Sequence, residues 1–303
     1  DLGIKSDDGR EKEITFNRSA QPPRVYEARN LIREKTGIDP SWDELQKYCQ
    51  DHGIPFMDGT SIFDPVLCEL AYRWFNMPNG CILDPFAGGS VRGIVASMLD
   101  MPYCGIDLRS EQIEANYKNA SEVLGKECCG KGGHNFSPQW ICGNSVDIDI
   151  LVGAYEADLV FSCPPYADLE VYSDNPEDLS TMDYPEFLQA YKEIIRKSCS
   201  LLKPDRFAVF VVGEVRDKTG VYRSFVPDTI ASFQEAGLCY YNEMILVNAI
   251  SSLAMRAGKQ FSNSRKIGKL HQNVLVFYKG DPSKIKENFS ELDFSDDDLF
   301  KED

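Results

Sequence analysis

Residues 81–90 read Cys81-Ile82-Leu83-Asp84-Pro85-Phe86-Ala87-Gly88-Gly89-Ser90. An apolar run ends in Asp-Pro, a small-residue loop follows, and 91–99 carries a helical pattern. Proline offers no N–H to a ladder, so the strand stops at Asp84. Glycines let the backbone approach a ligand closely. Tyr103-Cys104-Gly105-Ile106-Asp107-Leu108 is a second apolar run ending in an acid, 23 residues after Asp84. An acid about 20 residues beyond a glycine loop suits the hydroxyls of a ribose. Gly88, Gly89 and Gly93 do not fit the pyrophosphate-binding G-x-G-x-x-G spacing, and no Gly-Lys-Ser/Thr follows. A nucleoside-like ligand without a pyrophosphate is therefore favoured, and S-adenosylmethionine is one.

About eighty residues on, Asp158-Leu159-Val160 leads into Phe161-Ser162-Cys163-Pro164-Pro165-Tyr166. Two prolines end this strand abruptly and leave a rigid loop at its C-terminal end. In an open α/β sheet that end is where ligands bind. Fixed backbone carbonyls beside an aromatic ring suit a flat substrate such as a base taken out of its duplex. By itself the run is compatible with an ordinary strand-ending turn. Its order after the glycine loop makes a ligand site the better reading.

Asp84-Pro85-Phe86-Ala87-Gly88 and Pro164-Pro165-Tyr166, in this order and spacing, resemble the two motifs of the S-adenosylmethionine-dependent DNA amino-methyltransferases. That family modifies adenine N6 or cytosine N4. The resemblance covers roughly residues 60–280 and is greatest to versions found on phages and mobile elements, including those of restriction-modification. It implies that Phe63, Asp84, Phe86, Gly88, Asp107 and Asn144 hold S-adenosylmethionine, and that Cys163, Pro164, Pro165 and Tyr166 form the catalytic loop. The segment 61–67 is similar to the one over the cofactor's methionine end, and 271–280 to the family's last strand. Two departures stand out. Gly89-Ser90 replaces small-Gly, and Cys163 stands where the family has Asp, Ser or Asn. Thiol sulfur is a weak acceptor, so backbone carbonyls or Ser162 would have to help hold the target amino group. A pyrimidine C5-methyltransferase using the Cys163 thiol, or a catalytically impaired DNA- or cofactor-binding homologue, are the alternatives. An RNA or protein N-methyltransferase would share the cofactor half.

The chain has 303 residues, 43% hydrophobic, enough for one large α/β domain. No apolar run approaches a membrane span and no N-terminal segment resembles a signal peptide. A cytoplasmic protein of a prokaryotic or phage-infected cell is expected, with oligomerisation left open. Most of the ten cysteines fall in strand or helix patterns, as buried free thiols do. Cys128, Cys129, His134 and Cys142 hint at a metal, but no Cys-x-x-Cys pair exists, so none is expected.

Net charge is −16, which argues against indiscriminate nucleic-acid binding. Residues 281–303 hold −6 of it and read as an acidic, disordered tail. Between Asn248 and Asn273 there is no acid, and Arg256, Lys259, Arg265, Lys266 and Lys269 all fall inside. A long connection of this kind, near 248–271, reads as the loop that positions DNA and reads its bases. A second DNA-facing loop is expected at 214–223. Loop 167–183 is acidic and reads as a lid or a solvated face.

Strand and helix patterns alternate from 65 to 247, so a doubly wound, Rossmann-like α/β sheet is expected, closed by a terminal antiparallel hairpin. Residues 1–59 form a small helical attachment, with Ser41-Trp42-Asp43-Glu44 as a capping box and Arg18, Arg24, Arg29 and Arg33 as candidate DNA contacts. Residues 60–280 form the main domain.

Overall fold

The computed structural model describes residues 23–54, 63–125, 136–167, 173, 175–248 and 253–289. In chain order its elements are α1 (Pro23–Thr36), α2 (Trp42–Asp51), α3 (Pro65–Phe75), β1 (Ile82–Asp84), α4 (Val91–Met98), β2 (Tyr103–Asp107), α5 (Ser110–Leu124) and β3 (Gln139–Cys142). Then come α6 (Ile148–Leu151), β4 (Ala157–Ser162), α7 (Tyr184–Leu201), β5 (Leu202–Val212), α8 (Phe225–Glu235), β6 (Cys239–Val247), α9 (Leu253–Ser264), β7 (His271–Lys279) and α10 (Ile285–Asn288).

The strands form one sheet in the order β3-β2-β1-β4-β5-β7-β6. β1 to β5 are parallel, and β7 runs antiparallel to both β5 and β6. This is the doubly wound, Rossmann-like sheet with a terminal antiparallel hairpin. Strand order reverses between β1 and β4, which opens a crevice at their C-terminal ends. β1 and β4 are buried along their whole length, as central parallel strands covered on both faces must be. One face packs on α3 and α4 through Tyr72, Ile94, Phe161 and Val209. The other packs on α7 and α8 through Phe187, Tyr191, Phe210 and Phe233.

Local chemistry sets the element ends. Asp64 accepts the Val66 and Leu67 N–H groups and opens α3, with Pro65 next to it. Asp183 does the same for α7, followed by Pro185. The capping box at Ser41 and Glu44 opens α2. α1 and α2 share a small core of Val25, Ala28, Leu45 and Cys49. At the N-terminal end of β4, Asp158 accepts the Cys81 N–H, Lys203 Nζ and Arg206 Nε, tying three segments together.

The structure departs from expectation in three places. The connection 248–271 carries α9 over much of its length. Its apolar positions are few and set among serines, amides and basic residues, so the helical period is faint in the sequence. Residues 281–289 are folded: Ile285 packs on the core, and the Phe289 ring lies 5.1 Å from Phe207. The acidic tail therefore begins after residue 289 at the earliest, and the rest of it lies outside the described residues. The strand pattern at 207–213 begins earlier than its apolar run suggests: β5 starts at Leu202, before Pro204, next to a register shift against β4. Among the described residues no helix is long and apolar enough to cross a membrane.

Candidate active site

Asp84 is fully buried at the end of β1. Its carboxylate accepts Arg92 Nε at 2.6 Å, the Tyr103 hydroxyl at 2.7 Å, the Ser162 hydroxyl at 2.5 Å and the Phe86 N–H at 3.1 Å. Arg92 comes from α4, and its Nη2 also donates to the Phe86 and Ala87 carbonyls at 2.5 and 2.7 Å. Burial lowers the pKa of the Arg92 guanidinium, but the Asp84 carboxylate more than offsets this and holds it above its ordinary value. The pair thus clamps the glycine loop from behind. Asp84 does not line the cavity. It was expected to touch the cofactor, and its oxygens are instead consumed in shaping the loop that does line it. Ser162 is likewise engaged, donating to Asp84 and accepting the Phe86 N–H at 3.2 Å.

Gly88 has φ +49°, a left-handed conformation that glycine adopts without strain. Its N–H donates to Asp107 Oδ2 at 3.0 Å, and its carbonyl accepts Asn116 Nδ2 at 2.7 Å. Asp107 Oδ1 accepts the Arg109 N–H at 2.9 Å. A Cβ at Gly105 would lie 2.6 Å from the Tyr103 hydroxyl and 2.8 Å from Ala87 Cβ. That glycine lets β2 pass close under the loop. Asn144 Oδ1 accepts the Val146 N–H at 3.0 Å, and Ser145 donates to the Pro85 carbonyl at 2.5 Å.

These elements surround a cavity of about 750 Å³ at the strand-order reversal. Phe63, Phe86, Gly88, Asp107 and Asn144 line one part, and Cys163, Pro164, Pro165 and Tyr166 line another. Both motifs therefore face one space. Cys163 Sγ lies 3.9 Å from the Tyr166 hydroxyl. That hydroxyl accepts Gln272 Nε2 at 2.5 Å, and the ring meets Phe225 edge-on at 5.9 Å. Gln272 thus fixes the ring from β7, 106 residues away.

The basic residues divide. Lys269 is in the cavity wall, its Nζ donating to Asn273 Oδ1 at 2.9 Å. Lys259 and Arg265 are exposed, and the Arg265 guanidinium lies over the Phe261 ring at 5.1 Å. Lys266 is half-buried against Gly220. Arg256 lies on α9. In 214–223, Arg216 covers the Tyr222 ring at 3.7 Å, and Arg223 lies 5.1 Å from the Tyr184 ring centre. In α1, Arg29 pairs with Asp39 at 2.6 Å. Arg18, Cys128, Cys129, His134, Asp168, Glu170 and Asp174 lie outside the described residues. Of the acidic loop, Glu177 and Asp178 reach the wall.

Sequence reasoning did not single out Arg92, Arg109, Glu214, His271 or Gln272 as wall residues. Glu214 opens the expected DNA-facing loop 214–223, and His271 and Gln272 fall in the segment similar to the family's last strand, but nothing local turns them toward this cavity. Arg92 reads as an ordinary helix charge until Asp84 is found behind the loop.

Neither a family model nor a curated protein sequence matches this chain. Several solved structures are similar to it. TrmN from Thermus thermophilus is 16% identical with a TM-score of 0.44, over 72% of this chain and 49% of that one, so this chain spans about half of TrmN's length. Magnesium protoporphyrin IX methyltransferase (ChlM) from Synechocystis PCC 6803, solved with bound SAM, is 12% identical, TM-score 0.45, over 83% and 97%. A candidate DNA modification methylase, also from Thermus thermophilus, is 18% identical, TM-score 0.35, over 52% and 56%. At such identities and scores these likenesses concern the fold alone, and the doubly wound sheet stands on its own strand order.

Proposed function

We propose that this protein is an S-adenosylmethionine-dependent methyltransferase acting on the exocyclic amino group of an adenine (N6) or cytosine (N4) base in DNA. The observation that carries the reading is the single cavity shared by the glycine-loop wall and the Cys163-Pro164-Pro165-Tyr166 wall. The residues present fit the cofactor. Asp107 stands at the end of β2 beside Gly88, where a ribose hydroxyl can donate to it. Asn144, Phe63 and Phe86 supply an amide and two apolar rings to the same wall. When bound there, S-adenosylmethionine supplies an electrophilic methyl group on a sulfonium.

The chain's own work is positioning. Tyr166, pinned by Gln272, offers a ring on which an extruded base stacks. The carbonyls near Cys163 and Pro164 orient the amino nitrogen, and holding the two reactants in register contributes most of the rate. Lys269 at the wall, with Lys259, Arg265 and Lys266 on the connection between β6 and β7 and Arg256 on α9, supplies phosphate contacts.

Methyl-labelled cofactor offered with DNA, RNA and protein in parallel tests the substrate class. Label is expected in DNA, and label confined to RNA or protein contradicts the reading. The Cys163 thiol in the wall is the specific observation behind a second reading, a pyrimidine C5-methyltransferase. That enzyme would trap a fluoropyrimidine duplex as a covalent adduct, and the amino-methyltransferase would not.

A further inference from the structure

A base amino group carries two N–H bonds, and its nitrogen lone pair is aimed when acceptors hold both. Backbone carbonyls near Cys163 and Pro164 can take one. The side chains of the loop offer little for the other. Cys163 presents a thiol, a weak acceptor, and it already meets the Tyr166 hydroxyl. Ser162 is spent on Asp84 and the Phe86 N–H. On the neighbouring strand end, Glu214 gives Oε1 to the Val226 N–H, and its Oε2 is buried out of reach.

The strand beyond supplies an open acceptor. β5 separates β4 from β7 and ends at Val212, and Gly213 follows without a side chain. From the start of β7, Gln272 reaches across to Tyr166, its Nε2 donating to the hydroxyl at 2.5 Å. An amide that turns its nitrogen to that hydroxyl keeps its oxygen on the other branch. Gln272 Oε1 takes no hydrogen bond from any described residue, and it is not sealed, because the residue is only half-buried and stands in the cavity wall. The cavity itself is open to solvent, since Val247 of the same wall is 75% exposed. A glutamine amide suits an amino-bearing base edge, because its oxygen accepts from the amino group. An unfilled acceptor of this kind thus stands beside the ring on which the base stacks.

We infer that Gln272 contacts the target base directly: its Oε1 accepts the second amino N–H while its Nε2 holds the Tyr166 ring. This contact presupposes the amino-methyltransferase reading given above. One side chain then fixes both the stacking surface and the base edge, so the two stay in register. With both N–H bonds held, the nitrogen lone pair forms the bond to the methyl carbon as the carbon–sulfur electron pair returns to sulfur. The surplus proton on nitrogen leaves to water through the open side of the cavity, because a neutral amide is not a base.

The competing role for Gln272 is to pin the ring and nothing more, and a double-mutant cycle separates the two. Tyr166→Phe keeps the ring and removes the pin. Gln272→Met keeps the length of the side chain and removes the amide. The single-turnover rate on DNA at saturating cofactor is expected to fall about fivefold for Gln272→Met, the scale of one lost hydrogen bond. It should fall by a similar factor again when Gln272→Met is added to Tyr166→Phe. Cofactor affinity by calorimetry should stay within about twofold of the parent throughout, since the contact is made to the base and not to the cofactor. A Gln272→Met as fast as the parent, or one that adds no loss in the Tyr166→Phe background, overturns the base contact. So does a parallel fall in cofactor affinity, which would make the residue a general support of the cavity. A folded, cofactor-binding parent that methylates no DNA overturns the amino-methyltransferase reading, and this inference falls with it.

Discussion

Cys163 and Tyr166 face the same cavity 3.9 Å apart, yet they should respond to mutation very differently. The chain surrounding Cys163 offers a backbone scaffold for orienting an amino group, and a hydroxyl is an adequate replacement for a thiol there. Cys163→Ser should therefore retain methyl transfer, within about twofold of the parent. Tyr166→Ala should cost far more, through lost stacking of about 1–3 kcal/mol on the extruded base. Single-turnover rates on DNA separate the two. A dead Cys163→Ser beside a parent that traps fluoropyrimidine DNA would favour the C5 chemistry. Asp107 makes a separate prediction. Asp107→Ala should weaken cofactor binding by about 1–3 kcal/mol, the scale of hydrogen bonds to a charged group. Calorimetry on the folded variant measures it, and unchanged affinity would remove Asp107 from the site.

At the scale of elements, the N-terminal end of β4 depends on Asp158. Burial pushes its carboxyl pKa up, but Lys203, the Cys81 N–H and Arg206 more than offset this and hold it below the usual carboxylate range. A depressed folded pKa contributes stability that is present above the unfolded value of about 4 and lost as pH falls through the folded one. The melting temperature of the parent should therefore drop as pH falls below about 4. Asp158→Asn should be less stable at neutral pH, and the gap between the two should narrow in acid. A gap that stays constant with pH would deny Asp158 this role. The connection between β6 and β7 offers the second test at this scale. Reversing the charges of Lys259 and Arg265, both exposed, should lower DNA affinity and flatten its salt dependence, because fewer counterions are released. Cofactor affinity should be unaffected. A salt slope equal to the parent's would move the phosphate contacts to another face.

For the molecule as a whole, the sheet was legible because its signals are local. Asp84-Pro85 and Pro164-Pro165 end strands by removing N–H donors, and apolar runs between capped helices fix the alternation. The two walls of the cavity were legible for the same reason, since each sits at a strand end. What could not be read depends on pairing across the fold. Arg92 reaches Asp84 only once α4 lies behind the loop, and that contact turns Asp84 from an expected ligand into an internal anchor. Gln272 reaches Tyr166 only through the antiparallel placement of β7 between β5 and β6. α9 escaped notice because polar residues fill a helix whose apolar positions are few. The central claim joins these parts: one cavity brings a methyl donor to a base amino group. Unmethylated DNA incubated with the protein and S-adenosylmethionine, then digested to nucleosides and weighed by mass spectrometry, tests it most directly. The account predicts N6-methyladenosine or N4-methylcytidine in deoxy form. Only 5-methyldeoxycytidine, or no methylated nucleoside from protein that binds the cofactor, would contradict it.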